Sequence, residues 1–104
     1  MEKNNPVGSG SLSINRKANT DIGTNSIAIG SSNTASGTVA TAIGLGNIVE
    51  SNNSIGLGKY NKILSAGVNN VVLGVNNSVS DVVKSDGTIK PISNSVGIGS
   101  NNNI

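Results

Sequence analysis

The 104-residue chain carries 28 Leu, Ile and Val side chains, a net charge of +2, a single aromatic residue, and no cysteine or histidine. That aliphatic share exceeds the roughly 20% below which chains stay disordered, and so small a charge does not expand the chain, so an ordered protein is expected. Without Cys or His there can be no disulfide framework, thiolate metal site, cysteine nucleophile or histidine-based acid–base catalysis, and no run of 18 or more apolar residues is present to cross a bilayer as a helix.

Asn, Ser and Gly fill 48 of the 104 positions, and Tyr60 is the lone aromatic. A three-dimensional core is normally filled with aromatics; small branched aliphatics dealt evenly along the chain suit a thin, extended one. The pI of 9.2 rests on scattered Lys3, Arg16, Lys17, Lys59, Lys62, Lys84 and Lys90. These lack the aromatic interleaving that base stacking needs, so nucleic acid is not an expected partner.

Residues 1–10 read as a flexible lead-in rich in Gly, Ser and Asn. They lack the apolar core of a signal peptide, so export would require a signal and anchor elsewhere in a parent protein. Ser11-Leu12-Ser13-Ile14-Asn15 alternates apolar and polar in the manner of a strand, as a degenerate first coil. Then one phrase recurs: Asn25-Ser26-Ile27-Ala28-Ile29-Gly30, Thr41-Ala42-Ile43-Gly44, Asn53-Ser54-Ile55-Gly56-Leu57-Gly58, Asn70-Val71-Val72-Leu73-Gly74 and Asn94-Ser95-Val96-Gly97-Ile98-Gly99. The closing glycines fall at intervals of 14, 14, 16 and 25 residues, and an internal repeat of this kind decides the architecture.

Aligned on those glycines, the residues form columns. Bulky aliphatics stand three and one positions before the glycine (Ile27, Ile29, Ile43, Ile55, Leu57, Val71, Leu73, Val96 and Ile98), with Ala28, Ala42, Gly56, Val72 and Gly97 between them. A period of two with one bulky and one slim face predicts a strand. We assign the bulky set to the interior as the repeat core, so Ile55→Asp would bury an unpaired charge and block folding. Ala35, Val49, Ile63, Val79 and Ile104, five residues after each glycine, predict a second, shorter strand.

Three residues after each glycine the residue is always asparagine: Asn33, Asn47, Asn61, Asn77 and Asn102. Asn tolerates left-handed turns, and stacked Asn amides can bond one another in a ladder. Each repeat therefore predicts one turn of a coil: strand, Asn turn, strand, return. Coils about 4.8 Å apart would give two parallel ladders back to back, an all-β solenoid with ~14-residue turns over residues 11–104 and about six coils. So few aliphatics per coil offset the ordering of 14 residues poorly, so self-association is expected. The slim Ala/Gly face suits close approach of a neighbour, although the residues alone do not decide which face meets it.

The period breaks at residues 80–93. There Asp86-Gly87 separates two short alternating runs, Val82–Lys84 and Thr88–Lys90, and predicts a hairpin with a type I′ turn, lodged between two coils; Pro91 bars continuation as a central strand.

The repeated phrase resembles the head repeat of trimeric autotransporter adhesins, the YadA-like head, whose motif reads approximately Asn-Ser-Val-Ala-Ile-Gly-x-x-Ser. The likeness covers residues 11–79 and 94–104, with Asn where that family prefers Ser three residues after the glycine. The resemblance implies a left-handed parallel β-roll, a homotrimer about a threefold axis, and a place on the bacterial cell surface within an outer-membrane-anchored parent protein. Such a head would bind host extracellular matrix proteins or cell-surface receptors; no ligand residues carry over. The competing expectation is a structural spacer in a bacterial, phage or viral fibre.

No enzyme activity, cofactor or metal is expected. Glu2, Asp21, Glu50, Asp81 and Asp86 show no pairing suited to acid–base work. Gly56-Leu57-Gly58-Lys59 mimics a phosphate loop, but Asn53 and Tyr60 stand where a Walker motif needs Gly and Ser or Thr. The calcium-binding Gly-Gly-x-Gly-x-Asp repeat does not occur. A left-handed acyltransferase helix would read in hexapeptides, and an ice-binding solenoid in threonine columns. Tyr60 with Lys59 and Lys62 reads as a decorated corner that could bind something.

Overall fold

The computed structural model describes residues 10, 12–17, 20–21, 23–64 and 67–104; apart from Gly10, the lead-in lies outside them. In chain order the strands are β1 (Leu12–Lys17), β2 (Thr20–Asp21), β3 (Ile27–Ser31), β4 (Thr34–Ala35), β5 (Thr41–Leu45), β6 (Ile48–Val49), β7 (Ile55–Lys59), β8 (Lys62–Ile63), β9 (Val71–Val75), β10 (Ser78–Val79), β11 (Val82–Val83), β12 (Ile89–Lys90) and β13 (Val96–Ser100).

The long strands form one six-stranded parallel sheet, β1-β3-β5-β7-β9-β13, and the short ones a second parallel sheet, β2-β4-β6-β8-β10. Together they make a β-solenoid of about four turns with ~14-residue coils. The pairing reproduces the sequence columns. Ile27, Thr41, Ile55, Val71 and Val96 pair in file, and so do Gly30, Gly44, Gly58, Gly74 and Gly99. Leu12 and Ile14 of β1 pair with Ile27 and Ile29, which places the degenerate first coil in register. Each coil's N–H groups donate to carbonyls of the next, as from Ile27 to Ala40 at 2.8 Å and Thr41 to Ser54 at 2.9 Å.

The core corrects the assignment of the bulky columns. The buried apolar residues are Ala28, Ala40, Ala42 and Val72 from the long-strand side and Ala35, Val49, Ile63 and Val79 from the short sheet. Ile27, Ile29, Ile43, Ile55, Leu57, Val71, Leu73, Val96 and Ile98 point the other way. Most are half-buried, whereas Ile55, Val96 and Ile98 are 36%, 64% and 67% exposed. Thickness is the physical reason. A coil this short encloses one side chain from each sheet, and its two interior corners are already filled, by Asn or Ser in nearly every coil and by Ala40 in one. Where the long strand contributes only Gly56, the Val49 Cγ2 lies 2.9 Å from where a Cβ would stand. From β3 to β13 the inward column therefore holds Ala, Gly and at most Val72, never Ile or Leu.

The hairpin forms, but with a different turn. Val82 pairs with Lys90 and Val83 with Ile89, antiparallel. Lys84 N–H donates to Thr88 O at 2.8 Å and Gly87 N–H to Lys84 O at 2.9 Å, and φ of Gly87 is +86°. The loop is therefore three residues, a turn over Ser85-Asp86 followed by a left-handed glycine, rather than a two-residue type I′ turn.

Candidate functional surface

Backbone twist and side-chain polarity fix each corner together. Gly30, Gly44, Gly58, Gly74 and Gly99 hold φ between +120° and +131°, a region for glycine alone. The residue two positions on, Ser32, Gly46, Tyr60, Asn76 or Asn101, is left-handed, with φ between +56° and +65°. The turn dihedral thus belongs to the residue before each ladder asparagine, not to the asparagine as expected from its tolerance of that geometry.

The asparagines instead tie the coils together. Asn33, Asn47, Asn61 and Asn77 are buried. Asn47 is representative: its Nδ2 donates to Asn33 Oδ1 at 3.1 Å, to Ile43 O in its own coil at 2.9 Å and to Gly58 O in the next at 2.9 Å. Its Oδ1 accepts from the backbone N–H of Asn61 at 3.1 Å and from Asn61 Nδ2 at 3.0 Å. Every polar atom of the side chain is satisfied, as a buried amide requires. Asn102, on the end coil, is exposed; its backbone N–H donates to Asn77 Oδ1 at 2.9 Å, and its Nδ2 donates to Ile98 O at 3.0 Å.

A second polar file, missed in the sequence, lines the opposite corner four residues before each glycine: Ser26, Ser54, Asn70 and Ser95, with Ala40 as the one apolar member. Ser26 Oγ donates to Gly23 O at 2.7 Å, Asn70 N–H to Ser54 Oγ at 3.0 Å, and Ser95 N–H to Asn70 Oδ1 at 3.1 Å. Its signal was present in the repeated Asn-Ser pair, but serine is so common here that the column did not stand out. The Asn of that pair marks a third positive-φ file, Asn25, Asn53, Asn69 and Asn94, in which Val39 is the exception at φ +56°.

Because the interior is full, recognition is left to the outside. The outward side of the six-stranded sheet carries two mainly aliphatic columns, from Leu12 and Ile14 through Ile27 and Ile29 to Val96 and Ile98, with Thr41 the one polar member. Leu45 and Val75 extend the strip at its edge and are exposed. Elsewhere Tyr60, 48% exposed, has Lys59 Nζ 5.3 Å from its ring centroid. On the hairpin Val82, Val83 and Ile89 are exposed, and Asp86 accepts from Thr88 N–H at 3.0 Å and Thr88 Oγ1–H at 2.6 Å. Those bonds hold the Asp86 carboxyl below its usual pKa. Among the described residues no three His, Cys, Asp or Glu side chains gather where they could hold a metal.

No protein-family model matches the chain, and neither a curated protein nor a solved structure is detectably similar to it.

Proposed function

We propose that this chain is a non-enzymatic head segment of a trimeric bacterial surface adhesin, attaching an outer-membrane-anchored parent protein to host extracellular matrix or cells. The observation that carries this reading is the outward aliphatic strip of the six-stranded sheet. Lone soluble chains seldom leave a contiguous apolar patch beyond a few hundred Å² uncovered, and here the patch grows with every coil. Further copies of the chain are its natural cover, because their side chains recur with the same rise of about 4.8 Å per coil. Three chains packed side by side on these strips would turn their polar corners and the hairpin outward, leaving a long repetitive surface for multivalent attachment.

The test is binding of the assembled protein to immobilised collagen, laminin and fibronectin. Saturable binding that is lost when assembly is broken by Ile55→Asp supports the adhesive role. A correctly trimeric sample that binds none of these surfaces or intact host cells would instead favour a fibre spacer.

A further inference from the structure

We propose that the corner at Lys59, Tyr60 and Lys62 is a binding site for a sulfated polysaccharide, with the tyrosine ring as stacking platform and the two ammonium groups as its anion contacts. This deepens the adhesive reading and rests on it. The repeat accounts for nearly every residue of the roll but not for these three. In the column of Lys59 the other coils place Lys17, Ser31, Leu45, Val75 and Ser100; in that of Tyr60, Ser32, Gly46, Asn76 and Asn101; in that of Lys62, Thr20, Thr34, Ile48, Ser78 and Asn103. The first coil also has a lysine in the Lys59 column, but only this corner joins the chain's one aromatic to two cations.

Folding alone does not ask for tyrosine there. Tyr60 sits at φ +56°, a left-handed backbone that a bulky side chain occupies only under strain, and strain of this kind, kept at an exposed position, is a pointer to function. Burial does not compensate, since about half of the residue faces solvent. Yet the corner is rigid. Asn61 anchors it through five side-chain hydrogen bonds within the ladder, to Asn47 Oδ1, Leu57 O and Gly74 O as donor and from Asn77 N–H and Asn77 Nδ2 as acceptor. The ring lies over the neighbouring coil at Gly46, where an added Cβ would stand 2.5 Å from Tyr60 Cδ1. Lys59 is already drawn to the ring, and among the described residues neither lysine is paired with a carboxylate.

A flat, fixed aromatic suits the apolar face of a pyranose, and two compact, strongly hydrated cations suit sulfate groups spaced along a chain. Each copy in an assembly presents one such corner, so a polymer carrying many sulfates engages several at once.

The experiment uses the assembled protein on immobilised heparin as the probe, with salt titration, and hyaluronan (unsulfated) and single-stranded DNA as comparison surfaces. Expected are salt-sensitive retention on heparin, a loss of about tenfold or more in affinity for Lys59→Ala/Lys62→Ala, and recovery in Lys59→Arg/Lys62→Arg. Tyr60→Asn should weaken binding while raising the thermal midpoint, because Asn occupies this position without strain in the last two coils; a purely structural Tyr60 would lower both or neither. Unchanged binding in the alanine pair or in Tyr60→Asn, or equal retention on DNA, overturns the site. Binding to matrix protein without heparin retention overturns this proposal alone. Trimers retained by neither overturn the adhesive reading with it.

Discussion

Asn47→Ala probes the ladder where it is fully formed. The change removes the acceptor of the Asn61 backbone N–H and the donors to Ile43 O and Gly58 O, all in a dry corner where the Asn47 side chain is fully buried. At about 1–1.5 kcal/mol for each orphaned group, the expected loss is roughly 3–5 kcal/mol. That is a large fraction of the 5–15 kcal/mol by which domains of ordinary size are stable (roughly). Asn102→Ala is the matched control, since Asn102 is exposed and loses only its bond to Ile98 O; its cost should stay below about 1 kcal/mol. Guanidinium unfolding followed by far-UV circular dichroism, at one protein concentration, compares the two. If both variants fall within about 1 kcal/mol of each other, the amides are not what joins the coils and the energetic argument fails.

Val39→Asn should stabilise the protein by about 1 kcal/mol, because valine is held at φ +56° and 47% exposed where the other coils place asparagine; a lower thermal midpoint would contradict this. Gly44→Ala should abolish the cooperative transition, since its Cβ would stand 1.9 Å from Gly58 O at φ +126°. Gly87→Ala, at φ +86° in the hairpin with nothing within 4 Å of the added Cβ, should leave the melting of the roll intact; equal damage from both would show that the marker glycine is not needed for close stacking. Acidification offers a local test. The bonds from Thr88 favour the ionised Asp86, so its pKa is lowered in the folded state, and their stabilisation is complete above the ordinary carboxylate range and lost as pH falls through the depressed value. Amide shifts of Thr88 and Gly87 should therefore titrate below that range while those of the roll stay still; a midpoint at or above the ordinary value would refute the hydrogen-bonded turn.

Coil length, strand register, the asparagine file and the hairpin's place were legible because each repeats in, or interrupts, a fixed period. The sidedness of the long strands was not. Alternation says that Ile27 and Ile29 face opposite to Ala28, but when both faces are uncharged it does not say which is interior. What decides it is volume. Buried Asn33 and Ser26 take up the two corners of the coil, and the remaining width accepts Ala28 opposite Ala35 but not two isoleucines. The large residues, usually the surest markers of a core, are here the markers of an outer face. The hairpin turn escaped for a similar reason. Asp-Gly serves equally as the centre of a two-residue turn or the end of a three-residue loop, and only the pairing of Lys84 with Thr88 distinguishes them. Val39 and Tyr60 were opaque because neither residue type announces a left-handed backbone.

Absolute mass in solution, by light scattering on the intact chain and on Ile55→Asp, tests the central claim most directly. The account predicts a wild-type particle of three 10.3 kDa chains, and for Ile55→Asp a smaller species that keeps its β-sheet signal, because position 55 lies on the outward face. Ala42→Asp, which places the charge in the true interior, should lose the fold altogether. A monodisperse wild-type monomer, or an Ile55→Asp protein that stays trimeric, would contradict the outer strip as the surface through which the chains assemble.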